Sequence, residues 1–194
     1  MKKSIFSILF FVVFMLVGCG KDDGKSHLGN TGMPGSDAGN GYNQNISMEI
    51  LKNAVVDVLG ENYWPNMEMD AEMLETVYGI KPEMYDDYFA ESPMISVNVD
   101  TLIIVKAKED QIEAVEEALE TYRERNINEA LQYPQNIGKV QAARIESFDN
   151  YVCFVQLGAD TREASDAGGD EAVAEQCLEE NERALDAIEK ALLR

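Results

Sequence analysis

The stretch MISVNVDTLIIVKAKEDQIEAVEEALETYR, residues 94–123, decides how the fold is read. Met94–Val99 and Thr101–Ala107 are rich in β-branched residues and read as two strands, with Asp100 between them as a hairpin turn. From about Asp110 to Leu131 the period changes. Ile112, Val115, Leu119 and Tyr122 recur at helical spacing among Glu and Arg, so a long helix follows. The order strand, strand, helix then returns. Val140–Phe148 and Tyr151–Leu157 read as strands joined by Asp149-Asn150, Gly158–Gly169 as an acidic loop, and about Asp170–Leu192 as the last helix. The apolar face of that helix is Val173, Cys177, Leu178, Ala184, Leu185, Ile188, Ala191 and Leu192. Two such units predict an α+β domain: a four-stranded antiparallel sheet, strand-strand-helix twice, with both long helices on one face.

Upstream, the pattern predicts short helices. Ser47 stands at the N-cap of a helix with Ile50, Leu51, Ala54, Val55, Val58 and Leu59 on one face, ended by Gly60. Asp70 caps a second helix through Met73, Leu74 and Val77, stopped by Gly79. Pro82 opens a third over Tyr85, Tyr88 and Phe89, with Ser92-Pro93 as its end. Between Tyr63 and Met94 the chain holds Tyr63, Trp64, Tyr78, Tyr85, Tyr88 and Phe89 together with five methionines. Aromatic and methionine side chains suit adaptable binding surfaces, but the first expectation for this segment is core, packing short helices onto the sheet, with a binding surface as the alternative. Under that alternative, Trp64, Tyr63, Tyr85 and Tyr88 are the candidate binding surface. For Trp64, beside the stiff Pro65, the expectation is packing onto the core, with surface contact as the alternative.

The N-terminus carries a different signal. Lys2 and Lys3 precede an apolar run from Ile5 to Val17, about 13 residues against the roughly 20 that cross a bilayer. Leu16-Val17-Gly18-Cys19 then reads as a lipoprotein signal, with residues 1–18 removed and the Cys19 thiol diacylated. Two acyl chains make a stable anchor where one does not. Residues 19–46 read as the lipidated cysteine and a flexible tether, because Gly20–Ile46 has seven glycines and almost no apolar side chain. The single domain is expected over 47–194. The partners implied are a membrane, held through Cys19 with the domain on its extracellular face, and an unidentified protein or cell-envelope component.

Composition excludes more than it assigns. The formal charge is −20, and removal of Lys2 and Lys3 with the leader takes it to −22. Phosphate contacts need clustered Lys and Arg, so nucleic acid is not a partner. The one histidine, His27, falls in the tether, which leaves no histidine for a Ser-His-Asp or Cys-His site in the domain. No Gly-rich phosphate loop and no metal-ligand spacing occurs, and Asp160–Glu171 lacks the alternation of a calcium loop. No cofactor is expected. Asp86-Asp87 and Asp57/Glu61 are carboxylate pairs of the kind 36 acids produce by chance. Cys153 and Cys177 both fall in apolar patterns and read as buried free thiols, with a disulfide as the alternative.

The segments LKNAVVDVLGENYWPNMEMDAEMLETVYGI, MISVNVDTLIIVKAKEDQIEAVEEALETYR, LQYPQNIGKVQAARI and DNYVCFVQLG together resemble a family of domains of unknown function, found mostly in lipoproteins of clostridial Gram-positive bacteria. The resemblance covers nearly all of 47–194 and implies a cell-surface address. It implies no activity and no functional residues. The expected function is a membrane-anchored extracellular lipoprotein with a non-enzymatic binding or accessory domain. A cell-wall accessory enzyme working through carboxylates alone is the alternative.

Overall fold

In the computed structural model, residues 41–94, 97–128 and 132–194 are described. The leader, Cys19, His27 and the tether as far as residue 40 lie outside the described residues. The elements run α1 (Met48–Leu59), β1 (Met67–Glu68), α2 (Ala71–Tyr78), β2 (Tyr85–Ser92), β3 (Thr101–Ala107), α3 (Ile112–Asn128), α4 (Ile137–Gln141), β4 (Arg144–Phe148), β5 (Tyr151–Gln156) and α5 (Arg162–Leu192), with 3₁₀ turns at Gly60–Asn62, Pro82–Met84 and Pro134–Asn136. The fold is mixed α/β. Among the described residues the five strands form one antiparallel sheet in the order β1-β2-β3-β5-β4.

The sheet therefore has five strands rather than the expected four, and its members differ. Tyr85–Ser92, read as a helix, is β2. It pairs with β3 through Tyr88↔Val105, Phe89↔Ile104 and Ala90↔Ile103. The misreading has a physical cause. Tyr85, Tyr88 and Phe89 stand at helical spacing, but a register irregularity between Tyr85 and Asp87 shifts the alternation by one residue. Tyr85 and Tyr88 thereby pack against the same core cluster. The expected strand at Met94–Val99 has none of its described residues in a strand, and Asp100 makes no hairpin turn. The stretch before β4 also differs, because Ile137–Gln141 is helical and the strand begins only at Arg144. Most of the acidic 158–169 segment belongs to α5, which starts at Arg162 and kinks at Gly168-Gly169.

Helices cover both faces. α1 and α5 pack on one face, over Leu102, Ile104, Tyr151, Cys153 and Val155. α2 and α3 pack on the other, over Ile103, Val105, Val152 and Phe154. The two long helices, α3 and α5, thus lie on opposite faces, not on one. The reason is legible in the strands: Leu102-Ile103-Ile104-Val105 and Val152-Cys153-Phe154-Val155 are fully buried without alternation, as strands sandwiched between two layers must be. Each such side chain contributes about 1.5–3 kcal/mol by leaving water.

The helix faces are narrower than expected. In α1, Met48, Leu51, Val55 and Leu59 are buried, whereas Ile50 and Val58 are exposed. Val77 and Leu178 are exposed as well. Asp70 caps α2 as expected, its side chain accepting the Met73 N–H at 2.9 Å, and Gly79 closes it in the left-handed region with φ 78°. Ser47 holds the N-cap position of α1 without a side-chain cap bond. Residues 42–46, on the tether side of Ser47, are docked. The Tyr42 ring meets Phe148 edge-on at 6.0 Å, its hydroxyl donates to Glu189 Oε1 at 2.8 Å, and the Asn43 N–H donates to the Leu192 carbonyl at 2.7 Å.

At the far side of the sheet, β4 is an edge strand. Grooves run along both of its faces. One is lined by Glu113, Glu116, Glu117 and Glu120 of α3, the other by Glu179, Glu182, Asp186 and Glu189 of α5 together with Arg144 and Arg183.

Candidate functional site

The four aromatic candidates do not form one surface. Tyr63 packs against the α1–α5 cluster, and its hydroxyl donates to Glu91 Oε2 at 2.8 Å. Burial, with Glu91 beside it, pushes the Tyr63 phenol well above its ordinary range. Glu91 also takes Lys52 Nζ at 2.5 Å, so Tyr63 is a pin between the loop and β2. Tyr85 and Tyr88 sit on the opposite face, edge to face at 5.2 Å, with the Tyr88 hydroxyl donating to the Met69 carbonyl at 3.3 Å. Desolvation raises both phenols.

Trp64 stands apart from these and belongs to neither core cluster. It is 39% exposed, which corrects the expectation of core packing. Its indole N–H donates to the Glu61 carbonyl at 3.1 Å, fixing the ring over the 3₁₀ turn. The ring walls a cleft of about 450 Å³ shared with Val97, Asn98, Gln135, Asn136, Lys139 and the Ala159–Arg162 segment. That size falls among the roughly 300–1,000 Å³ of small-molecule sites.

Lys139 organises the cleft. It is 3% exposed. Nζ donates to Asp100 Oδ1 at 2.6 Å and to the Ala159 carbonyl at 2.7 Å, and lies 5.4 Å from the Trp64 ring centroid. A cation over an indole face is held by the ring quadrupole, more strongly as water is excluded. Asp100 is fully buried, and its other oxygen accepts the Ala159 N–H at 2.9 Å. Desolvation raises the Asp100 carboxyl in spite of the opposing pull of Lys139. Ala159 meets both groups from a left-handed backbone, φ 47°, unusual for a residue with a Cβ. Strain of this kind persists only where the surroundings impose it, and it clusters at functional sites.

The supports come from close packing elsewhere. A Cβ on Gly138 would lie 2.6 Å from Val173 Cγ1 and 2.7 Å from the Asp170 carbonyl, so only glycine lets α4 approach α5 and bring Lys139 inward. Fully buried Asn181 accepts the Leu157 N–H and donates to the Ala142 carbonyl, both at 2.8 Å, tying the end of β5 to the end of α4. Gln176 donates to the carbonyls of Gly158 and Asp160 at 3.1 Å. At the rim, Arg162 grips Asp160 through Nε and Nη2 at 2.5–3.0 Å. Arg162 side-chain and backbone hydrogen bonds hold the Asp160 carboxyl down to about 2.

Neither Lys139 nor Asp100 stands out in the sequence: Asp100 occupies an expected turn, and Lys139 belongs to no motif. A single lysine and a single acid inside apolar stretches are the available signal, since buried charges come in pairs. Cys153 and Cys177 are both buried free thiols. Burial pushes the Cys177 thiol up to about 12 and Cys153 up as well. Among the described residues no group of three or more His, Cys, Asp or Glu is placed to hold a metal ion, and no helix is long and apolar enough to cross a membrane.

A family model for a domain of unknown function, DUF4358, matches residues 59–157, just over half of the chain. The chain belongs to the DUF4358 family. The matched segment of this DUF4358 protein holds Trp64, Asn98, Asp100 and Lys139, while the Ala159–Arg162 wall of the cleft lies just beyond it. No curated protein and no solved structure matches the chain.

Proposed function

We propose that this DUF4358 protein is a cell-surface lipoprotein of a clostridial Gram-positive bacterium. It is anchored through diacylated Cys19 on the extracellular face of the membrane, and its domain is a non-enzymatic binding module. The leader pattern ending at Cys19 supports the anchor. The observation that carries the binding reading is the Trp64 cleft: a half-exposed indole in the wall of a preformed cavity, fixed from below by a buried lysine. Loops positioned by a rigid scaffold are where binding groups concentrate. The carboxylate-enzyme alternative finds less support at the same place. Asp100 is committed to Lys139 and the Ala159 N–H, and Asp160 to Arg162, so neither is free to act as a general base. Tyr63, Tyr85 and Tyr88 act here as packing residues.

Two measurements test the two halves. In the native host, Cys19→Ala should lose acyl labelling and lipoprotein-type cleavage; an unmodified Cys19 in the mature wild-type protein rules the anchor out. For the cleft, the chain from residue 20, without its acyl group, is sedimented with cell envelopes of the host. Wild type should co-sediment and Trp64→Ala should not, with the variant's melting temperature within a few degrees of wild type. Equal retention of both proteins removes Trp64 from the contact.

A further inference from the structure

We infer that the Trp64 cleft receives a neutral sugar residue of a glycan. The inference rests on the binding reading above and names the ligand class. Charge is the first argument. Both cations at the cleft are cancelled by an acid in contact, Lys139 by Asp100 and Arg162 by Asp160. The cleft therefore offers no unpaired charge to an anion or a cation. Beyond it the chain has a net charge of −20, which repels phosphates and uronates from a distance.

Shape is the second argument. The indole of Trp64, 39% exposed and with Lys139 Nζ over one face, lines the cleft with the exposed side chain of Val97 beside it. The third is the polar capacity that remains. Asn98 receives the Asp100 N–H at 3.0 Å and Lys139 at 3.5 Å through Oδ1, and its Nδ2 has no partner among the described residues. Asn136 spends Nδ2 on the Val97 carbonyl at 3.0 Å and keeps its amide oxygen. The Thr161 hydroxyl and the Gln135 amide add groups that both donate and accept. A pyranose presents the complement: a C–H face for the indole and a rim of hydroxyls, each at once donor and acceptor. An amphipathic aromatic wall with a few converging amides suits such a solute better than it suits a purely apolar one.

The test uses the chain from residue 20 and follows the emission of Trp64, the one tryptophan of the protein. Chitotetraose and cellotetraose are the neutral probes. A galacturonate tetramer and adenosine are the charged and the flat aromatic controls. A neutral tetrasaccharide should shift the emission with a Kd of about 1 mM or tighter. Trp64→Ala should abolish its saturation-transfer NMR signal, and Asn98→Ala, assayed well below its own melting temperature because it also loses the acceptor of the Asp100 N–H, should weaken binding about tenfold. The inference is overturned if neither neutral probe binds at about 10 mM, if the uronate or adenosine binds more tightly, or if binding survives Trp64→Ala. Loss of envelope retention in Trp64→Ala without any saccharide binding would sink the ligand class and leave the binding reading standing. Retention that ignores Trp64 would sink both.

Discussion

Two acid–base pairs flank one cleft, and they do opposite work. Lys139–Asp100 lies at the base, with side chains 4% and 0% exposed and 2.6 Å between them. Arg162–Asp160 lies at the rim, with side chains 87% and 43% exposed. A buried pair gives up hydration that largely offsets its attraction, while removal of one partner strands a charge. An exposed pair is screened by water and salt and adds little. The inner pair is thus a device for geometry. It fixes where Ala159 and the Trp64 ring stand and adds little net stability. The outer pair neutralises the mouth and can be altered almost freely.

The largest expected effect comes from breaking the inner pair. Lys139→Met should destabilise the fold by about 3–5 kcal/mol in urea denaturation, because Asp100 remains buried without its cation. Adding Asp100→Leu should restore most of that loss. A single variant that loses less than about 1 kcal/mol would show that the base of the cleft is wetter than described.

A second perturbation acts on the support rather than the charge. A Cβ on Gly158 would lie 2.3 Å from Cys177 Sγ. Gly158→Ala should cost about 1–3 kcal/mol through overpacking. Combining it with Cys177→Ala should cost less than the sum of the two single variants. Simple additivity in that cycle would mean that Gly158 and Cys177 do not press on one another.

The pairs should also respond to pH with opposite sign. The Asp100 carboxyl is raised, so the folded chain holds that proton more tightly than the unfolded chain. Its contribution is full below the ordinary carboxylate value and is lost as pH rises through the raised one. Asp160 is lowered from 3.8 to about 2, so its contribution is present above the ordinary value and is lost as pH falls toward about 2. Denaturation of wild type, Asp100→Asn and Asp160→Asn between about pH 2 and 6 should give difference curves of opposite slope. Slopes of one sign would break the contrast.

The smallest effect is expected at the rim. Arg162→Ala should leave the melting temperature nearly unchanged, and molar salt should erase what difference there is. A loss comparable to that of Lys139→Met would show that the two pairs act as a single network.

The same contrast between buried and exposed explains what could be read from the chain. β3, β5, α3 and the C-terminal part of α5 were legible, because long apolar or periodic segments carry their own signal. β2 was not, because the irregularity between Tyr85 and Asp87 gives Tyr85, Tyr88 and Phe89 the spacing of a helix. β1, two residues long, has no period at all. The division of helices between faces was written in the unbroken apolar runs of β3 and β5, and the repeat of strand-strand-helix concealed it. At the site, Trp64 was legible as an unusual residue. Lys139 and Asp100 were not, because their partnership spans 39 residues and depends on Gly138 letting α4 close on α5.

The acidic grooves along β4 bear on how these molecules treat one another. An edge strand is a template for another copy, and its open backbone groups favour pairing into sheets that run from chain to chain. Here any second chain arriving edge-on would press its own carboxylates, most of all those of α3, against Glu113, Glu116, Glu117 and Glu120, while on the α5 side Arg144 and Arg183 offset part of the charge. Repulsion between like charges in rows acts over about 10 Å at moderate salt, further than a backbone hydrogen bond can reach. The charge that makes this protein so acidic is thus spent partly as a guard on the β4 edge, and acid or concentrated salt is the condition under which that guard is lowered.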